Sequence, residues 1–400
     1  MNALSLPTDA SDPLAPALER ARSLAEDLDL ATVRAWKTAH PGALAVGYMP
    51  IYAPRPLFEA LGTLPVGVFG GGDQLDIIRG DSYFQSYICH IPRSTLELAL
   101  SHRLDVLDAM VFPSICDVIR NLGGMWQMLF PDRYAAYLDL PQNFDAARGG
   151  VFYVAEMSRI ADELTRRGAR PLTAEALNRA IRDENERRAT LQQLDEVRRI
   201  EPWRLRASEA YLLLRAGAVL SALDHTELVR RFLDGARLRQ PRAYDNVRVV
   251  VRGAFCEQPP IALIRTLEAS GCDIVDDDFQ LGLRFIDAPI AEDTQEPLRA
   301  LADAYLRHGT ATASRYIANE VKGDALIARV RATEAEGVIF CAASFCDPAL
   351  LDQPMLEAAL DRANIPHTAL KYAENTGQFQ VIREQAGAFS DAVKLWGSAA

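Results

Sequence analysis

Three cysteines stand just ahead of segments that read as helices. They are Cys89 in Tyr87-Ile88-Cys89-His90-Ile91-Pro92-Arg93-Ser94, Cys116 in Pro113-Ser114-Ile115-Cys116-Asp117-Val118-Ile119-Arg120, and Cys346 in Phe345-Cys346-Asp347-Pro348. Cys116 and Cys346 also follow apolar runs that read as strands. A helix N-terminus carries partial positive charge, which favours a thiolate and any anionic group bound to it. In an open parallel sheet such positions share one edge, the edge where ligands bind. The separations are long, 27 residues from Cys89 to Cys116 and 230 from Cys116 to Cys346. They do not form the compact C-x₂-C run of a ferredoxin, so spacing alone leaves apolar packing, reactive thiols and metal ligands all open.

The other three cysteines of the six read differently. Cys272 begins an apolar run and Cys341 ends one, which is the setting of buried packing. Cys256, in Ala254-Phe255-Cys256-Glu257-Gln258-Pro259-Pro260, follows a strand and is the ambiguous member. Asp117 and Asp347, each next to a cysteine, suit the first turn of a helix, where carboxylates are favoured. Asp276-Asp277-Asp278 resembles a metal-binding run but is better read as a solvated turn after a strand.

The elements that must position these residues are legible from apolar runs. Ala43–Tyr48, Pro65–Phe69 and Leu107–Phe112 read as strands buried on both faces, with helical patterns at 14–30, 94–102 and 117–130. From 157 to 240 no strand is visible, and leucines and charges recur at helical spacing with one apolar stripe per helix. Alternation then returns. Strands are expected at 247–251, 272–275, 337–340 and 367–371, and helices at 260–270, 296–308, 352–364 and 378–395. The fold class is α/β: two doubly wound, Rossmann-like parallel-sheet domains with a helical insertion between them. The expected division is 1–155 for the first α/β domain with Cys89 and Cys116, 156–241 for the helical segment, and 242–400 for the second α/β domain with Cys346.

Composition narrows the function. The 400 residues are 49% hydrophobic and 24% charged, the balance of a globular chain rather than a disordered one. With 43 basic and 54 acidic residues the net charge is −11, which argues against nucleic acid and anionic membrane surfaces as partners. The N-terminus has no basic start and no long apolar run, and no stretch is long enough to span a bilayer; a cytoplasmic protein is expected. No Gly-x-x-x-x-Gly-Lys-Ser/Thr is present, and Val68–Gly72 does not complete Gly-x-Gly-x-x-Gly and reads as a tight turn.

Several stretches together resemble the benzoyl-CoA reductase / 2-hydroxyacyl-CoA dehydratase family. They are Gly47-Tyr48-Met49-Pro50-Ile51-Tyr52-Ala53-Pro54 followed by Leu61–Val66, the three cysteine segments, and Gly377-Gln378-Phe379-Gln380-Val381-Ile382-Arg383. They fall in order from about 44 to 395. Dehydratases often carry Glu where this chain has Pro56. That position, Gly70–Gln74 and Ser82–Tyr87 resemble the benzoyl-CoA reductase branch, and the length is nearer its C (gamma) subunit than its B subunit. The resemblance implies a [4Fe–4S] cluster held by Cys89, Cys116 and Cys346. It further implies ATP-dependent reduction of benzoyl-CoA to cyclohexa-1,5-diene-1-carbonyl-CoA with electrons from ferredoxin, as part of anaerobic aromatic degradation. The implied partners are a paralogous B-type subunit and separate ATPase activator subunits of A and D type, which accounts for the missing P-loop. The catalytic residues stay unassigned. His90 is a candidate proton or hydrogen-bond donor beside the cluster, and Arg93, Arg120 and Arg383 are candidates for CoA phosphates or the cluster's charge. The alternatives are a 2-hydroxyacyl-CoA dehydratase subunit, which eliminates water, and a non-catalytic scaffold subunit.

Overall fold

A computed structural model describes residues 12–240, 242–253, 259–279, 281–315, 321–373 and 379–396. Helices α1 (Ala15–Ala25) and α2 (Ala31–Ala39) precede the first sheet unit. That unit is β1 (Ala45–Tyr48), α3 (Arg55–Ala60), β2 (Leu64–Gly67), α4 (His90–Leu100), β3 (Ala109–Pro113), α5 (Asp117–Leu129) and β4 (Tyr134–Leu138). Helices α6 (Val151–Arg166), α7 (Ala174–Ile200), α8 (Ala207–Ala216) and α9 (Ala222–Leu238) follow without an intervening strand. The second unit is β5 (Val247–Arg252), α10 (Ile261–Ala269), β6 (Cys272–Asp277), α11 (Pro297–His308), α12 (Asp324–Ala332), β7 (Gly337–Ala343), α13 (Asp347–Arg362) and β8 (His367–Tyr372), with α14 (Phe379–Trp396) last.

The strand orders are β2-β1-β3-β4 and β6-β5-β7-β8, and every pairing is parallel. The two sheets thus share one topology. Each order reverses between its first and third strands in sequence, β1 and β3 or β5 and β7, and ligand crevices open at the carboxyl side of such a reversal. Strands β1 and β3 are buried at every residue, as parallel strands covered by helices on both faces must be. Gly47 lets the Met110 and Leu107 side chains pack closely where β1 meets β3. A Cβ there would come within 2.5 Å of the Met110 sulfur and 2.8 Å of the Leu107 side chain.

Local chemistry explains where the elements depart from the sequence expectation. The helical pattern at 14–30 breaks in two because Leu30 takes a left-handed conformation, φ 53°, and the Asp27 carboxylate accepts the Thr32 N–H to start α2. Helices α4 and α13 begin earlier than expected, at His90 and Asp347. Pro92 and Pro348 fall in their first turns, where a missing N–H costs nothing. The short edge strand β4 and the charge-rich α12 were not expected at all.

Two further readings are corrected. Asp276-Asp277-Asp278 is no solvated turn: all three are buried at the end of β6. Asp277 binds Arg198 and Arg284, and Asp276 binds Arg329, so guanidinium partners draw the carboxylates inward. Nor does α7 bury a purely apolar stripe. Glu184, Arg187, Arg188 and Arg198 on this helix are buried too, because α7 packs on α3 and β6, which supply Arg55 and Asp277.

Candidate functional site

Each of the three cysteines is the N-cap residue of its helix: Cys89 of α4, Cys116 of α5 and Cys346 of α13. Cys116 and Cys346 are topological equivalents. Two residues separate Cys116 from the end of β3, and two separate Cys346 from the end of β7. Both follow the strand on one side of the order reversal, and both are followed by an aspartate at the first helical position. Cys346 is buried, while Cys89 and Cys116 are half-buried. Helix α4 packs against α5, so the Cys89 helix shares its wall with the Cys116 helix.

The electrostatics differ from the simple helix-end expectation. Burial pushes the Cys116 thiol up to about 11. The Ile119 and Val118 amides at the start of α5 pull it down, as expected for a helix N-terminus, but desolvation outweighs them. Cys346 and Asp117 add further upward pushes. The Cys346 contribution shows that these two thiols, 230 residues apart, feel each other's charge.

Cysteine thiolates are the usual ligands of iron–sulfur clusters, which makes these three thiols candidates for such a group. Among the described residues no three Cys, His, Asp or Glu side chains converge on one metal ion. Thiols at helix N-caps, two of them electrostatically coupled across the two sheet units, fit such an anionic group.

The backbone beside these positions is unusual. Ile51 and Tyr52, just beyond β1, both have φ of 63°, and Phe345 immediately before Cys346 has φ 68°. Such conformations cost roughly 1–3 kcal/mol each and persist only where the surroundings enforce them. At Tyr52 the enforcing contacts are visible. Its hydroxyl hydrogen-bonds Thr312 (2.5 Å) and Ser314 (3.0 Å), joining the first unit to the loop after α11. Its ring meets Phe285 and Tyr305 edge-on.

The remaining sequence candidates are placed as follows. His90 is the first residue of α4 and half-buried. Arg93 pairs with Asp81 at 2.9 Å, Arg120 lies over the Tyr137 ring at 5.6 Å, and Arg383 is exposed on α14. Cys272 and Cys341 are fully buried inside strands, and burial pushes the Cys272 thiol up to about 12. Cys256, Gly377 and Gln378 lie outside the described residues. Sequence reasoning missed the Tyr52–Thr312 link, because a tyrosine in a proline-flanked turn carries no periodic signal.

Comparison with known proteins adds an independent line. The family model described as 2-hydroxyglutaryl-CoA dehydratase, D-component, matches residues 50–393. The chain is 46% identical over 380 residues to the benzoyl-CoA reductase C subunit of Thauera aromatica, covering 95% of this chain and 98% of that one. It is 25% identical over 350 residues to the (R)-phenyllactyl-CoA dehydratase beta subunit of Clostridium sporogenes, covering 88% and 92%. With the (R)-2-hydroxyglutaryl-CoA dehydratase beta subunit of Acidaminococcus fermentans it shares 26% over 355 residues, covering 88% and 93%.

Proposed function

The chain belongs to the 2-hydroxyglutaryl-CoA dehydratase D-component family, and from that premise we propose that it is the C-type, [4Fe–4S]-carrying subunit of an ATP-dependent benzoyl-CoA reductase. At the coarser level it is an enzyme subunit of the reductase and dehydratase type. The observation that carries the finer reading is the 46% identity to a benzoyl-CoA reductase subunit, against 25–26% to dehydratase beta subunits over similar lengths.

In this reading Cys89, Cys116 and Cys346 hold the cluster. When bound, the cluster supplies single electrons at low potential. The protein's own contributions follow from its geometry. The three helix N-termini offer partial positive charge to an anionic group. The burial of Cys346 and half-burial of Cys116 limit the access of water there. The tied Tyr52 turn holds the two sheet units in register. The overall reaction adds two electrons and two protons to the ring of benzoyl-CoA, giving cyclohexa-1,5-diene-1-carbonyl-CoA. Ferredoxin donates the electrons, a B-type subunit pairs with this chain, and A- and D-type subunits hydrolyse ATP. Among the described residues no helix is long and apolar enough to cross a membrane.

The test is an anaerobic assay of the chain co-expressed with those partners. Stoichiometric consumption of reduced ferredoxin with benzoyl-CoA supports the reading. Turnover of a 2-hydroxyacyl-CoA with only catalytic electrons, and none of benzoyl-CoA, would place the chain among the dehydratases.

A further inference from the structure

We propose that a cavity on the second sheet unit binds the phosphate-bearing part of an organic ligand, which on the reading above is the coenzyme A portion of the acyl thioester. The cavity has a volume of about 620 Å³, within the range of small-ligand sites. It opens where β5 ends at Arg252 and Gly253, between the end of α11, the loop carrying Thr312, the start of α12 and the first turns of α13. Ala349, three positions after Cys346, is part of its wall.

The observation that points to an anion is Arg315. It is 7% exposed and lines the cavity, yet no carboxylate pairs with it among the described residues. One guanidinium nitrogen donates to the Leu306 carbonyl at 2.9 Å, and the group lies 4.6 Å from the Phe144 ring centroid. Its Nε is buried without a hydrogen-bond partner. Arg187 and Arg198, also buried, are each matched to a carboxylate. A buried charge left unpaired is costly, and a guanidinium is shaped for phosphate. Arg252 and Arg307 line the same cavity and form no ion pair or hydrogen bond through their side chains among the described residues.

The opposite charges leave this excess in place. Lys322 neutralises Asp352 at 2.7 Å, Asp278 accepts the Gly253 N–H at 2.8 Å, and Asp324 sits in the first turn of α12. Leu306, Phe340 and Leu356 supply an apolar wall. A second cavity of about 480 Å³ shares Arg252 with the first and adds Arg188, whose Nη1 also lacks a hydrogen-bond partner; it is lined too by Asp195, Asp277 and Asp287, of which the first two are paired with Arg284. Two chambers meeting at Arg252 suit an elongated ligand with an apolar stem and separated phosphates, and coenzyme A has that shape.

The experiment is isothermal titration of the anaerobically purified hetero-oligomer with coenzyme A, with inorganic phosphate, and with S-benzoyl-N-acetylcysteamine, a thioester that carries no phosphate. The double variant Arg252→Gln/Arg307→Gln is compared with wild type. Both residues reach the surface, so this pair tests the site even where Arg315→Gln does not fold. Coenzyme A binding to at least one site per complex should weaken by about fivefold or more, with binding of the phosphate-free thioester unchanged. A change below about fivefold at every coenzyme A site overturns the proposal. Inorganic phosphate competing as tightly as coenzyme A would overturn its assignment to the coenzyme. Binding of coenzyme A needs neither iron nor turnover, so failure of the reductase reading leaves this outcome independent.

Discussion

Cys116 and Cys346 occupy the same place in two sheets of one topology: two residues past the equivalent strand, at the N-cap, before an aspartate. Their thiols are close enough for Cys346 to push the Cys116 thiol upward. Two copies of one device therefore face each other across the molecule, and Cys89 on the neighbouring α4 supplies a third helix-capping thiol.

Replacing either facing thiol separates a ligand role from a packing role. Serine is a better N-cap than cysteine, so Cys116→Ser and Cys346→Ser should leave α5 and α13 intact. Both variants should lose iron and reductase activity on anaerobic purification, while Cys272→Ser, buried in β6, keeps both. Equal iron loss in all three would mean that the cysteines act only through packing.

Asp277 tests the buried charge network. It holds Arg198 and Arg284 together, and both arginines also contact Asp195. Asp277→Asn leaves buried guanidinium charge uncompensated and should lower unfolding stability by about 3–5 kcal/mol in urea titration. A loss below about 1 kcal/mol would show that Asp195 alone balances the pair.

Glu59 gives the chain a pH signature. Burial raises its carboxyl from 4.5 to about 7; Arg55 and the Ala222 amide oppose the shift, and Glu184 adds to it. The folded chain holds this proton where the unfolded chain has released it. Glu59 therefore favours folding at low pH, and that contribution falls away as pH rises from about 4.5 to about 7. Glu59→Gln should match wild type near pH 4 and exceed it by up to about 3 kcal/mol at pH 8. Parallel stability profiles would refute a raised Glu59.

Tyr52→Phe keeps the ring against Phe285 and Tyr305 but strips the hydroxyl from Thr312 and Ser314. A loss of about 1–2 kcal/mol is expected, with faster amide hydrogen exchange near 311–315. Unchanged exchange there would show that the Tyr52 hydroxyl does not tie the two units.

The sheet units were legible because strands such as Gly337-Val338-Ile339-Phe340 are continuous apolar runs, buried on both faces. Edge strand β4 was not, since the half-buried Tyr134 and Tyr137 leave only Ala135, Ala136 and Leu138 as an apolar run too short to read as a strand. The helix-capping positions of the three cysteines were readable from strand and helix order. The net rise of the Cys116 thiol was not, because desolvation depends on what the fold packs around the sulfur. The aspartates after β6 were misread for a related reason. Their partners Arg198 and Arg329 lie 79 and 53 positions away, in helices whose charges look solvent-facing in sequence.

The most direct test is iron and acid-labile sulfide analysis with EPR on the reduced protein, purified anaerobically with its partners. About four irons and four sulfides for this chain, with a signal lost in Cys346→Ser, is the predicted result. A colourless chain with no iron, sulfide or reduced-state signal would contradict the account at its centre.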